Sequence, residues 1–183
     1  MLHIVYGGSA SGKSSYAESF AMSLQGEGRL LYIATMYPYK WNTTEIDPET
    51  MQRIERHRAM RADKGFDTVE CYRHVEHIVA KRQDVLLLEC MSNLLANEMY
   101  LEPDSNAGSD MAETMSPVSN KIVQALIDLS TRVQELVIVT NDVFSDGGSL
   151  TYDESTREYV KNLAEINCAL AREAATVTEV VCG

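Results

Sequence analysis

Residues 7–14 read Gly7-Gly8-Ser9-Ala10-Ser11-Gly12-Lys13-Ser14, a match to G-x-x-x-x-G-K-[ST] that follows the apolar run Leu2–Tyr6 and opens a helix-patterned stretch. Glycines at both ends let the backbone curl so that successive N–H groups point inward at phosphate oxygens, and the positive end of the following helix adds to that field. In this setting Lys13 reaches the β- and γ-phosphates of a bound nucleotide and the Ser14 hydroxyl is a ligand for Mg²⁺. A loop of this kind needs a parallel sheet behind it, so it constrains the fold as much as the chemistry.

The rest of the chain agrees. Short apolar runs rich in β-branched residues alternate with longer helix-patterned stretches, as in a three-layer α/β/α domain with a mostly parallel central sheet. Strands are expected at 2–6, 30–34, 68–71, 85–89, 136–140 and 176–181. Those around Ile4, Leu87 and Ile138 are apolar on both faces and read as central. Helices are expected from Lys13, across Glu49–Arg61, near Val75–Lys81, and from about Val118 and Glu154. The stretch 102–117 has the composition of an exposed loop insertion, and residues 1–183 read as a single domain.

Two features narrow the ligand. The net charge of −11 disfavours nucleic-acid binding, which depends on Lys and Arg replacing counterions along a phosphate backbone. Positive charge is instead concentrated in Arg53, Arg56, Arg58 and Arg61, which suits a small anion. Arg53, His57 and Arg61 recur every four residues and share one helical face, placing an imidazole nucleophile among groups that attract a triphosphate. By periodicity alone this segment reads first as a solvated basic helix with an incidental histidine. Glu89 ends the buried run Val85–Glu89, where the second acidic group of a phosphate-binding site orients Mg²⁺ and its waters. His3, His74 and His77 carry no assigned role. No run is long enough to span a membrane, and a cytoplasmic location is expected. The four cysteines form no C-x-x-C pair, so reduced, mostly buried thiols are expected rather than a zinc site or disulfides.

Taken together, Gly7–Ser14 followed by Ala17-Glu18, then Tyr32-Ile33-Ala34-Thr35, Arg53-Ile54-Glu55-Arg56-His57-Arg58 with Arg61, Leu86–Cys90, Val139–Val143, and Asn167 with Leu170-Ala171 resemble one family. It is the bifunctional adenosylcobinamide kinase/adenosylcobinamide-phosphate guanylyltransferases of cobalamin biosynthesis, and the resemblance spans nearly the whole chain. It implies a RecA-like P-loop NTPase core and a homotrimer with sites near subunit boundaries. It also implies two linked reactions: ATP or GTP phosphorylates adenosylcobinamide, and GTP donates GMP to adenosylcobinamide phosphate through a guanylylated histidine, the role that falls to His57. Arg53 and Arg61 then steady the triphosphate. The chain departs from the pattern at Asp142–Ser149, where relatives carry Glu and a glycine-rich G-x-G-I-V-P, and at its Cys182-Gly183 end. Two other readings stay open on the residues: a P-loop kinase for another small metabolite without guanylyl transfer, and a non-catalytic GTP-binding regulator.

Overall fold

The computed structural model describes residues 1–101, 115–143 and 152–182. Most of the expected loop at 102–117, the departing segment from Phe144 to Ser149, and Gly183 therefore lie outside the described residues. In chain order the elements are β1 (Leu2–Gly7), α1 (Lys13–Leu24), β2 (Leu30–Ala34), α2 (Pro48–Arg61), β3 (Phe66–Glu70), β4 (Val85–Glu89), α3 (Met91–Tyr100), α4 (Pro117–Arg132), β5 (Glu135–Asn141), α5 (Glu154–Glu173) and β6 (Thr176–Glu179).

All six strands pair in parallel, in the order β3-β2-β4-β5-β1-β6. Alternation along the strands divides the core. Ile4, Leu31, Leu86, Leu88 and Ile138 face one side, where α3, α4 and α5 cover them with Leu94, Leu95, Leu126, Leu129, Leu163 and Ile166. Val5, Tyr32, Leu87, Val137 and Val139 face the other, against Ala17 and Ala21 of α1. This is a three-layer α/β/α sandwich with a RecA-like arrangement, one strand (β5) separating the phosphate-loop strand from the strand that ends in Glu89. Register then aligns the carboxyl ends: Gly7 pairs with Asn141, Val139 with Glu89, and Glu89 with Ala34. Ligands of open α/β sheets bind at that edge.

Four expectations are corrected. The helix near Val75–Lys81 is a 3-10 turn of three residues, Val75–His77, followed by extended chain. Val75 and Ile78 are both buried, and a three-residue apolar spacing fits one tight turn as well as a helical face. Conversely α3 was not foreseen: it follows β4 after Cys90 without a glycine, a proline or a side-chain cap, so nothing local separates it from the strand's apolar run. β3 runs over 66–70 rather than 68–71, because pairing with Leu30–Ala34 recruits Phe66 and Asp67, and β6 stops at Glu179. All four cysteines are free, as expected, but Cys168 and Cys182 are exposed and Cys71 and Cys90 only half-buried. Among the described residues no helix is long and apolar enough to cross a membrane.

Candidate active site

Where β1 ends, Gly7 lies so close to the last β-segment that an added Cβ would sit 2.4 Å from the Val180 carbonyl oxygen. Gly12 adopts φ 87°, a left-handed conformation that L side chains rarely take, and turns the chain straight into α1. No side chain caps that helix, so its first-turn N–H groups stay available to an anion. By contrast Ser116 caps α4 and Asp153 caps α5. Lys13 is buried and its Nζ donates to the Gly8 carbonyl at 2.9 Å, which folds the ammonium back over the loop.

At the end of β4 the Glu89 carboxylate meets Ser14. The Ser14 hydroxyl donates to Glu89 Oε1 at 2.5 Å, and the Tyr32 hydroxyl donates to Oε2 at 3.1 Å. Burial and the Glu89 charge push the Tyr32 phenol far above its ordinary range, with Arg61 opposing, so it remains a donor. The Arg61 guanidinium lies flat over the Tyr32 ring, 3.4 Å from its centre. It is 5% exposed, yet its Nε and Nη1 have no hydrogen-bond partner. A buried cation with unused donors is costly unless an anion completes it.

Arg61 is also the one buried residue of α2, a helix that is otherwise polar or half-exposed. Two ion pairs tether this part of the chain, Arg58 to Glu70 of β3, and Lys64, just beyond the helix, to Glu18 of α1. α2 thus overhangs the carboxyl edge of the sheet and encloses a cleft of about 440 Å³. Ser9, Ala10, Lys13 and Ser14 line one wall; Arg53, His57 and Arg61 line the wall opposite; Glu89 lies between. Every candidate with a reactive or charged side chain is therefore in one cleft. Gly7, Gly8, Ser11 and Gly12 shape the loop from behind, and the buried Ser11 hydroxyl has no partner.

Several residues of the site have no role assigned from the sequence, some of them inside the motifs that carry the resemblance. Asn93, Asn141 and Tyr72 face the cleft. Thr35, fully buried, bridges the ends of β2 and β4: its hydroxyl donates to the Cys90 carbonyl and accepts from the Cys90 N–H. Asn97 of α3 then donates to the carbonyls of Thr35 and Tyr72. Asp142 is held at the same edge by its N–H to Gly7 O at 2.9 Å and by Tyr6, whose phenol burial and that carboxylate push up to about 12. The Ser14–Glu89 pair is a hydroxyl and a carboxylate, the hard-oxygen donors that Mg²⁺ takes alongside phosphate and water. No cluster of three or more His, Cys, Asp or Glu able to hold a metal occurs among the described residues.

A RecA-like sheet, a G-x-x-x-x-G-K-S loop and an acidic group beside the loop serine define a protein of the P-loop nucleotide-binding class. Residues 3–183 match the family model for cobinamide kinase / cobinamide phosphate guanyltransferase, and the chain belongs to that family, whose enzymes act in cobalamin biosynthesis. Among curated relatives, the bifunctional adenosylcobalamin biosynthesis protein CobU of Escherichia coli K12 is 30% identical over 100% of this chain and 97% of its own. Its counterpart in Salmonella typhimurium LT2 is 30% identical with the same coverage. Among solved structures, the flagellar accessory protein FlaH from Methanocaldococcus jannaschii aligns with a TM-score of 0.47 at 13% identity, covering 97% of this chain and 70% of that one.

Proposed function

We propose that this one cleft carries out both transfers in sequence, with Ser14 and Glu89 as the residues that would hold Mg²⁺, which would supply positive charge to the nucleotide phosphates. In the kinase step the aminopropanol hydroxyl of adenosylcobinamide attacks the γ-phosphorus of ATP or GTP. The γ-phosphorus–oxygen bond to the β-phosphate breaks, the hydroxyl proton leaves to solvent, and a nucleoside diphosphate departs. Lys13 and the loop N–H groups neutralise charge that spreads over the equatorial and leaving oxygens. In the second step an imidazole nitrogen of His57 attacks the α-phosphorus of GTP and pyrophosphate leaves, with Arg53 and Arg61 holding the triphosphate. An oxygen of adenosylcobinamide phosphate then displaces the imidazole, giving adenosylcobinamide-GDP and free His57.

The observation that carries this reading is the placement of His57 opposite Lys13 and Ser14 in the same cleft, beside the unpartnered Arg61 guanidinium. A homotrimer in the cytoplasm is part of the proposal. The test uses GTP labelled at its α-phosphate. Label should survive denaturation, leave in mild acid as a P–N bond does, and be absent from His57→Ala. Equal labelling of His57→Ala, or no labelling of the unaltered protein, overturns the histidine route.

A further inference from the structure

Beyond the nucleotide cleft, residues 36–48 form an ordered excursion. Tyr39 and Ile46 pair in an antiparallel bridge, Lys40 N donates to Glu45 O at 2.9 Å, and Asp47 N to Pro38 O at 3.0 Å. At its tip Trp41 is 50% exposed. Its ring lies 6.1 Å from that of Tyr100, edge to face, and 6.4 Å from Tyr37. Tyr37 in turn packs at 5.4 Å against Tyr72, which lines the nucleotide cleft. An unbroken path of aromatic rings therefore runs from the phosphate-transfer site to the molecular surface. Two grooves of about 400 and 430 Å³ flank it, joined to each other at Trp41 and Ala96. The inner groove shares Met36, Arg53 and Asn93 with the nucleotide cleft.

We infer that this aromatic wall, centred on Trp41 and Tyr100, is where the corrinoid ring of the acceptor docks. The inference rests on the proposed reading that the acceptor is a cobinamide. Such a substrate reacts at the end of a flexible arm, so only that arm needs to pass Arg53 into the cleft. The broad macrocycle must stay outside, on a surface continuous with the entrance, and among the described residues the wall meets that condition. Its chemistry fits as well. Large aromatic side chains left this exposed and adjacent commonly mark a binding surface. Aromatic faces and edges pack against the apolar periphery of a macrocycle, and an acceptor with net positive charge is favoured by a chain of net charge −11.

Steady-state kinetics with cobinamide and GTP test this on the full chain. Trp41→Ala should raise KM for cobinamide about ten-fold, the loss of one well-packed aromatic contact, while kcat changes by less than about two-fold. Trp41→Phe should recover most of the loss, and GTP affinity by calorimetry should match the parent protein. An unchanged KM in both Trp41→Ala and Tyr100→Ala overturns the inference. So does a fall in assembly mass without a change in KM, which assigns the wall to a second copy of the chain. If the unaltered protein turns over no cobinamide, it is the underlying functional reading that fails. Normal turnover with insensitive variants sinks the docking surface alone.

Discussion

On the proposed function Lys13 and Tyr32 both bear on nucleotide binding, but they enter the site by different physics. Lys13 is delivered by six residues of local sequence, and its ammonium, held at Gly8 O, lies where a phosphate tail needs a counter-charge. Lys13→Ala should weaken GTP binding by ~1.5–3 kcal/mol, a charge-assisted hydrogen bond, read by calorimetry in the presence of magnesium. Tyr32 acts at one remove, as a positioning residue: it fixes Glu89 Oε2 while its ring carries Arg61. Tyr32→Phe keeps the ring and loses the hydroxyl. It should raise the magnesium concentration needed for half-maximal rate about three- to ten-fold with melting temperature nearly unchanged, the cost of one typical hydrogen bond of about 0.5–1.5 kcal/mol. A loss confined to folding stability instead would refute the positioning role. The contrast explains what the sequence revealed. The loop and the Arg53–His57–Arg61 face are local patterns, whereas Tyr32 meets Glu89, and Thr35 meets Cys90, across more than fifty residues of chain. Only the pairing of β2 with β4 brings them together.

Helix α2 is the element whose existence the hydrophobic core explains least. A surface helix usually buries an apolar stripe, yet here the buried residue is Arg61, aimed at the cleft. Its order should therefore depend on ligand. Backbone amides across Pro48–Arg61 are expected to exchange fast in the free protein and to slow on GTP binding, while β4 and β5 stay protected throughout. Equal protection with and without GTP contradicts this. At the opposite edge of the sheet, the Asp84 carboxylate accepts from Arg29 N at 3.0 Å and Lys81 N at 2.8 Å, and pairs with the Arg29 guanidinium, clipping the start of β2 to that of β4. Burial opposes its ionisation, but the Arg29 side chain, these N–H groups and the Arg29 charge outweigh it and hold the carboxyl below its usual value. A depressed native value contributes stability above the unfolded pKa of about 3.9, lost as pH falls through the native one. Asp84→Asn should thus cost ~1–3 kcal/mol at neutral pH, and denaturant melts should show the gap closing in acid, where both side chains are neutral. Strand and helix periods were legible wherever the core enforced them. They misled at Val75–Ile78, where one buried tight turn mimics a helical face, and were silent at α3, which has no capping signal.

For the whole molecule, fold and site are coupled through the open side of the sheet. One face is closed by three helices and the other by α1, so both cores are complete without ligand. The carboxyl edge is different: it collects Lys13 and Arg61, both buried, together with Ser11 and Arg61 atoms that lack partners. Four of the sixteen Lys and Arg residues of an otherwise acidic chain, Lys13, Arg53, Arg58 and Arg61, thereby line the cleft proposed to take a triphosphate, a clustering that appears only once the helix carrying the arginines is placed over the loop. Edge strands β3 and β6 remain open on the sheet's flanks, and exposed Val177 and Val181 mark the β6 side as a surface another subunit can cover. On the proposed homotrimer, sedimentation equilibrium should return three times the chain mass of 20.4 kDa, and a monomer at micromolar concentration would exclude it. If GTP with magnesium binds as proposed, and to the folded state alone, a free concentration of 100 times Kd adds about 2.7 kcal/mol of stability. In a domain of 183 residues that amounts to a melting shift of about 5–10 °C. Since the stabilisation comes from completing the carboxyl edge rather than from new core, Lys13→Ala should melt near the parent without nucleotide and lose most of the shift with it. A variant that melts low in both conditions places Lys13 in the fold, and one that keeps the full shift removes it from the phosphate site.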